Sequence, residues 1–446
     1  MKNKVSIFYP GLNGSKAYRI PALINTKKNI LLATNDARIV NQRDNPNKIN
    51  SVLRRSFDQG KSWEPVQTTV SFLGEGLQGP AAIDTCLLED QETGTIFIMY
   101  SHSPGGVGCL KSTQGKGFLK TGEKQLINNL HQPFYLSSDG SVYELKNNKK
   151  TAYIVDSEGR LFLNGEEIGT IYEIFDEEKD NHLFEISTSF LQLIKSNDQG
   201  KTWSKPVDLN LQVKDEWMRF IGSGPGVGIQ LKHGGYKGRL LFPMYYTNGT
   251  NFFSCGLIYS DDHGVTWQRG KSPNDGRKMD ATDFSSELLG NDSHKYELTE
   301  NQVVELNDGT VVLYMRNHYY KGCVCKAESH DGGQTFGEVS FVEELTNPIC
   351  QFSIIKYNDS SAPEKDILVF VGPDSATERK YGTVKLSFDG GKTWPYEKCF
   401  EHGEFMYSSV TQLGNGNLGI IYEGEEEKSG LVESIYLELS LEEIMA

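Results

Sequence analysis

No stretch of this chain approaches the ~18 apolar residues that a membrane-spanning helix requires, which excludes a helical anchor within it. Residues 1–9 lack the apolar core of a secretory signal. The expectation is a cytoplasmic protein if Met1 is the native start, and a secreted one if a leader has been removed. Cysteine is scarce: seven residues, odd in number and scattered, at Cys86, Cys109, Cys255, Cys323, Cys325, Cys350 and Cys399. That distribution speaks against a disulfide framework and for reduced, unligated thiols. Cys323 and Cys325 are too close for a CxxC site and read as strand alternation. No histidine or cysteine spacing suits zinc, and no cofactor is expected. Positive charge is also short. Lysine and arginine total 45 against 59 acidic residues, a net charge of −14, which argues against nucleic acid. Any anionic substrate must therefore be met by arginines concentrated in one place. The glycine-rich run 222–228 is interrupted by Pro225 and has no βαβ unit around it. It reads as a loop at the mouth of a site and not as a dinucleotide fingerprint. The acidic run 425–427 reads as a solvated turn.

What the chain does have is an eight-residue phrase repeated five times: Ser, any residue, Asp, any residue, Gly, any residue, Thr or Ser, aromatic. It begins at Ser56, Ser196, Ser260, Ser329 and Ser387. The chemistry is that of a tight hairpin turn, in which Asp accepts backbone N–H groups, Gly permits positive φ and the aromatic packs beneath. Two copies depart slightly, with Phe336 for Trp and Ser62 for Thr, and each keeps its role. A phrase repeated at this scale signals a repeat architecture. The last three intervals suit one four-stranded propeller blade each. The first is about twice as long, and its hairpin count predicts both an extra blade and an insertion. The expected fold is all-β: a six-bladed β-propeller over 1–105 and 186–446, with a small β-rich insertion at 106–185.

The polarity of such blades places the candidate chemistry. Short apolar runs flank the turns at Asn29, Asp90, Asp308 and Asn415, as expected for inner strands covered on both faces. In an up-and-down blade the repeated turns share one end with these hairpin turns. The starts of first strands, the ends of second strands and the two–three connections lie at the other end, where sites are built. Glu300 and Arg316 lie eight residues either side of Asp308, so antiparallel pairing sets them opposite each other there. Tyr407 and Glu423 repeat the device around Asn415. Arg19, Asp84, Asp44 and Arg379 reach the same end, as does the insertion.

Tyr18-Arg19-Ile20-Pro21 matches the (Phe/Tyr)-Arg-Ile-Pro motif of bacterial sialidases, and the repeated phrase resembles their Asp box. Glu300, Arg316, Arg379 and Gly403-Glu404-Phe405-Met406-Tyr407 are also similar to that family, most of all to secreted Gram-positive neuraminidases. The resemblance covers essentially the whole chain. It implies that Arg19, Arg316 and Arg379 clamp a substrate carboxylate, that Tyr407 is the nucleophile and Glu300 its base, and that Asp44 is the general acid. Asp84 would contact the N-acetyl side of the sugar, Arg38 would help at the same rim, and Glu423 would orient Arg19. By its position Asp36 is a rival carboxylate to Asp44 and reads as the structural partner of an arginine.

Elementary chemistry agrees with those roles. Guanidinium forks match a carboxylate bidentately and stay charged. A carboxylate nucleophile approaching that substrate carboxylate to about 4 Å would meet repulsion of about 4 kcal/mol at an effective dielectric near 20. A neutral phenol avoids this, but ionising it at pH 7 costs about 4 kcal/mol, so a carboxylate base must take its proton as the bond forms. Tyrosine nucleophiles are the recognised sialidase exception among retaining glycosidases. The expected function is exo-sialidase hydrolysis of sialylated glycans with retention. Two alternatives are an intramolecular trans-sialidase releasing an anhydro sugar and a non-catalytic glycan-binding propeller. The intact Tyr407–Glu300 pair speaks against the last, because binding needs no nucleophile.

Overall fold

The computed structural model describes residues 4–279, 282–319, 321–425 and 430–446. The acidic run 425–427 lies outside the described residues beyond Glu425. The chain folds into successive antiparallel strand groups arranged like the blades of a propeller. The first comprises Ala17–Asn25, Leu31–Arg38, Ile49–Ser56 and Gln67–Val70; the second comprises Ala81–Glu89, Ile96–Ser103, Phe190–Ser196 and Val207–Asp208. These two share one nine-stranded sheet, joined where Ile49 meets Ala81 in parallel. Next come Ile221–Ser223, Leu240–Thr247, Phe253–Ser260 and Gln268–Arg269, then the sheet Leu298–Glu305 to Ser340–Thr346 and the sheet Ser353–Tyr357 to Tyr396–Glu404. The last sheet holds Ser408–Gln412, Leu418–Glu425 and Val432–Leu439. It takes its outer strand, Val5–Phe8, from the other end of the chain.

The inner strands pack against one another around an axis. Ala17–Asn25 touches both Ala81–Glu89 and Ser408–Gln412, which closes the ring. Their side chains are apolar because neighbouring groups cover both faces; all eight residues of Leu240–Thr247 and of Leu298–Glu305 are buried. At each boundary the facing residues make a local core, as with Val369, Val384, Val410 and Ile420.

Each repeated phrase forms the same knot. In the first, the Asp58 carboxylate accepts from Ser62 N at 2.9 Å and Ser62 Oγ at 2.5 Å, while Gly60 N donates to Ser56 Oγ at 2.8 Å. Asp198, Asp262, Asp331 and Asp389 accept the same pair of bonds from Thr202, Thr266, Thr335 and Thr393. Gly60 has φ +89°, and a Cβ there would lie 2.2 Å from the Tyr436 ring, so glycine is required twice over. Gln59 links this turn to the hairpin turns, donating to Asn29 O and accepting from Gly414 N. The knots and hairpin turns therefore share one end.

Between Ile96–Ser103 and Phe190–Ser196 the chain leaves to form a seven-stranded sheet, from Lys124–Asn128 to Leu183–Glu185. It has its own core of Leu126, Phe134, Val142, Val155, Leu161, Ile171 and Leu183. On its return the chain pairs directly with the strand it left. The long interval between the first two knots thus contains this sheet and no extra blade, a correction to the hairpin count. The hairpin 83–101 that suggested a separate blade belongs to the same group as the second knot. A second correction concerns 222–228. This run is not a loop at the mouth: Gly226–Val227 is buried and pairs in parallel with Ala81–Glu89, while Pro225 O accepts from Gln302 and Gln351.

Candidate active site

At the end opposite the knots, the inner strands kink. The pairing of Ala17–Asn25 shifts register between Arg19 and Ala22, that of Ala81–Glu89 between Ile83 and Cys86, and that of Leu298–Glu305 between Thr299 and Asn301. Ile20 and Asp84 take φ of 62° and 63°, unusual for side chains of their kind. Such bulges re-aim side chains at the ends of strands. One consequence corrects the expected pairing: Arg316 stands opposite Thr299, and Glu300 occupies the bulge beside it.

The kinks turn a set of polar groups toward the axis. Tyr407 Oη donates a hydrogen bond to Glu300 Oε1. Arg316 Nη1 lies 2.5 Å from Glu300 Oε2 and 3.0 Å from Tyr407 Oη. The Arg19 and Arg379 guanidiniums stand 5.3 and 5.8 Å from the centre of the Tyr407 ring. Arg19 is gripped by Glu423 through bonds of 3.1 and 3.0 Å, and Glu423 also accepts from the backbone N–H of Ile20 at 2.6 Å. Arg379 has a looser hold, one 3.3 Å bond to Ile349 O. The three arginines predicted as a group are therefore gathered around Tyr407.

Asp44, Asp84 and Arg38 meet on the adjoining side. Arg38 is fully buried and donates to Asp44 Oδ1 at 2.6 Å, to Gln42 O at 3.0 Å and to Asp36 Oδ2 at 3.4 Å. Asp44 is the open member, its side chain 65% exposed. Asp36 lies behind, fully buried, and also accepts from Asp84 N at 3.1 Å. Among the buried side-chain nitrogens of the described residues that have no acceptor within the protein are Nε of Arg38 and Nε of Arg316.

Sequence reasoning missed the apolar wall. A cavity of about 340 Å³ is lined by Asp44, Asp84, Glu300 and Tyr407, and also by Ile83, Cys109, Phe220 and Tyr245. Tyr245 Oη donates to Asp84 Oδ2 at 3.1 Å. Nothing in its buried strand distinguishes Tyr245 from a core residue. A larger cavity of about 460 Å³ opens at the knotted end of the axis. Its carboxylates Glu89 and Glu305 are occupied by the backbone N–H groups of Lys27, Lys232 and His233.

Charge states follow from this packing. Burial, reinforced by Glu300, raises the Tyr407 phenol well above its ordinary value despite the pull of Arg316. Tyr407 is thus a neutral phenol that donates to the Glu300 carboxyl group. Burial, with Glu300 and Asp44 nearby, pushes Asp84 up to about 7. Burial also raises Asp36, against the pull of Arg38. Asp44 goes the other way: burial acts to raise it, but Arg38, Arg19 and Arg316 together hold it below the usual carboxylate range. Among the described residues no cluster of three His, Cys, Asp or Glu could hold a metal ion. The arrangement offers a cationic cradle for a carboxylate, a phenol with an adjacent base, and an exposed carboxylate across the cavity.

Comparison with known proteins follows the same line. Residues 174–420 match the family described as BNR repeat-like domain. A sialidase of Micromonospora viridifaciens is 30% identical over 93% of this chain, and an anhydrosialidase of Macrobdella decora is 26% identical over 94% of it. The chain spans 50% and 59% of the lengths of these relatives. A crystal structure of the intramolecular trans-sialidase from Ruminococcus gnavus, in complex with oseltamivir carboxylate, superposes with a TM-score of 0.82 at 25% identity. That likeness covers 100% of this chain and 98% of the other.

Proposed function

The chain belongs to the sialidase family of BNR-repeat proteins, and from that premise we propose that it is an exo-α-sialidase acting on sialylated glycans. The observation that carries this reading is the Tyr407–Glu300 hydrogen bond set among three guanidiniums. The strand groups are read as six blades and 106–185 as an inserted domain.

The substrate carboxylate binds Arg19, Arg316 and Arg379, which places the anomeric carbon over the Tyr407 oxygen. Tyr407 attacks that carbon as Glu300 removes the phenolic proton, and Asp44 protonates the departing glycosidic oxygen. The bond to the aglycone breaks as the glycosyl–tyrosine bond forms. Water, activated by Asp44, then attacks the anomeric carbon and breaks its bond to the Tyr407 oxygen, while Glu300 returns the proton to Tyr407. Two inversions give retention. Asp44 must be protonated to begin, yet three arginines hold its carboxyl below the usual range. Binding an anion to Arg19 and Arg316 cancels their share of that pull and leaves that of Arg38, so substrate itself moves Asp44 upward toward a proton-donating range. Asp84, paired with Tyr245 at the wall, faces the N-acyl side of the sugar.

A second reading is an intramolecular trans-sialidase, in which a hydroxyl of the sugar's own side chain replaces water. It is favoured by the likeness to the Ruminococcus gnavus and Macrobdella decora proteins. NMR of the first product released from a sialoside separates the two: free sialic acid supports hydrolysis and an anhydro sugar supports internal transfer. Failure to turn over any sialoside would refute both.

A further inference from the structure

The inserted sheet meets the propeller through buried charge. Glu185, on its edge strand Leu183–Glu185, is fully buried, and its two oxygens lie 2.8 Å from His102 Nε2 and 2.6 Å from Lys124 Nζ. His102 belongs to Ile96–Ser103 of the propeller, and its other ring nitrogen lies 3.1 Å from Ala81 O. The imidazole stacks on Phe72 at 3.7 Å, and Lys124 sits 4.5 Å from the Phe190 ring centre. Burial acts to raise Glu185, but Lys124 and His102 bring it down to about 2. Such a network is weak evidence for stability, but it joins the two parts: the Glu185 carboxylate is held by both His102 and Lys124, and Lys124 Nζ also lies 3.4 Å from Asp208 Oδ2 of the propeller.

What it fixes leads toward the catalytic cavity. Immediately after His102, Ser103 Oγ accepts from Asn45 Nδ2 at 2.9 Å, and the same amide donates to Val107 O at 3.2 Å. Gly108 then passes so close to the Asp44 loop that a Cβ on it would lie 2.6 Å from Asn45 O and 3.1 Å from Pro46 Cδ. Asn45 adjoins Asp44, whose side chain is largely exposed and is braced by Arg38.

We propose that the inserted sheet positions Asp44: the Glu185–His102–Lys124 network holds segment 103–108, and Asn45 ties the Asp44 loop to that segment. Glu185 and Ser103 are positioning residues, since neither lines the cavity. The proposal rests on the reading of Asp44 as general acid, and its test must separate the two.

The test is a series of aryl sialosides of similar size whose leaving phenols range from strongly to weakly acidic. A good leaving group needs no proton, whereas a poor one depends on the acid. In Glu185→Gln and Ser103→Ala, kcat/KM for the most acidic phenol should stay within about twofold of wild type, while that for the least acidic falls about tenfold or more. Asp44→Ala is the reference. If it shows no such dependence, the acid assignment fails and the positioning proposal falls with it. If Asp44→Ala shows the dependence and both other variants match wild type, or lose activity equally across the series, the positioning proposal alone is overturned. Should Glu185→Gln fail to fold, Ser103→Ala, which leaves the buried charges intact, decides the matter.

Discussion

Asp58 and Asp84 sit in neighbouring strand groups at opposite ends of the ring, and their surroundings drive the same side chain in opposite directions. Asp58 is exposed and wrapped by hydrogen-bond donors from Ser62 and Ser56, which hold it down at about 2. Asp84 is buried, faces Glu300 and Asp44, and is pushed up to about 7. Every partner that lowers Asp58 comes from its own eight residues. The groups around Asp84 come from at least four separate segments. The knotted end is thus locally self-sufficient, whereas the open end exists only as a convergence. One predicts a role in folding, the other a role in chemistry.

Four experiments would break or sharpen that contrast, taken from the largest expected effect downward. Tyr407→Phe removes the reacting oxygen and little packing, so kcat on an aryl sialoside should fall at least about 10³-fold with an unchanged unfolding midpoint. Retention of activity would transfer the nucleophile's role elsewhere. Arg379→Ala should lower kcat/KM by about 10–100-fold through lost carboxylate binding, since its single 3.3 Å bond makes it a minor structural element. Asp58→Ala reverses the pattern: about 1–2 kcal/mol of stability should be lost to denaturant with kcat intact. An equal loss of activity would show that the two ends are coupled.

The smallest effect is a slope. A carboxyl whose folded pKa lies above its unfolded value contributes stability that is complete below the unfolded value and disappears as pH rises through the folded one. For Asp84 that window runs from about 4 to about 7. Asp58, depressed, contributes above its unfolded value and loses that contribution only as pH falls through about 2. Thermal midpoints measured between pH 4 and 7 should therefore fall less in Asp84→Asn than in wild type, while Asp58→Ala should leave the slope alone. An identical slope in Asp84→Asn would contradict the assigned shift.

The same contrast explains what could be read from the chain alone. The knots were legible because Ser, Asp, Gly and Thr satisfy one another within a single turn, and the hairpins at Asp308 and Asn415 because their glycines need positive φ at 86°. The path of 222–228 was not, because its conformation is set by pairing with Ala81–Glu89 and by amides from Gln302 and Gln351. Within the site, spacing alone indicated that Glu300 and Arg316 are neighbours, and the bulge shifted that pairing by one residue. The gathering of Arg19, Arg379 and Tyr407 was legible mainly through family resemblance, since no local pattern encodes a ring. Tyr245 and Phe220 carried no signal at all: a wall residue and a core residue look alike until the cavity between them is known.

The closing sheet joins Val5–Phe8 to Val432–Leu439, and the nearby grip of Glu423 on Arg19 spans almost the whole chain. During synthesis, then, the first arginine of the cradle waits for a carboxylate that lies 404 residues further along the chain. Until that meeting, a nascent chain holds most of its sheets yet no complete pocket. Catalytic competence should switch on only with that closure, which makes turnover a sensitive reporter of whether the circle has shut.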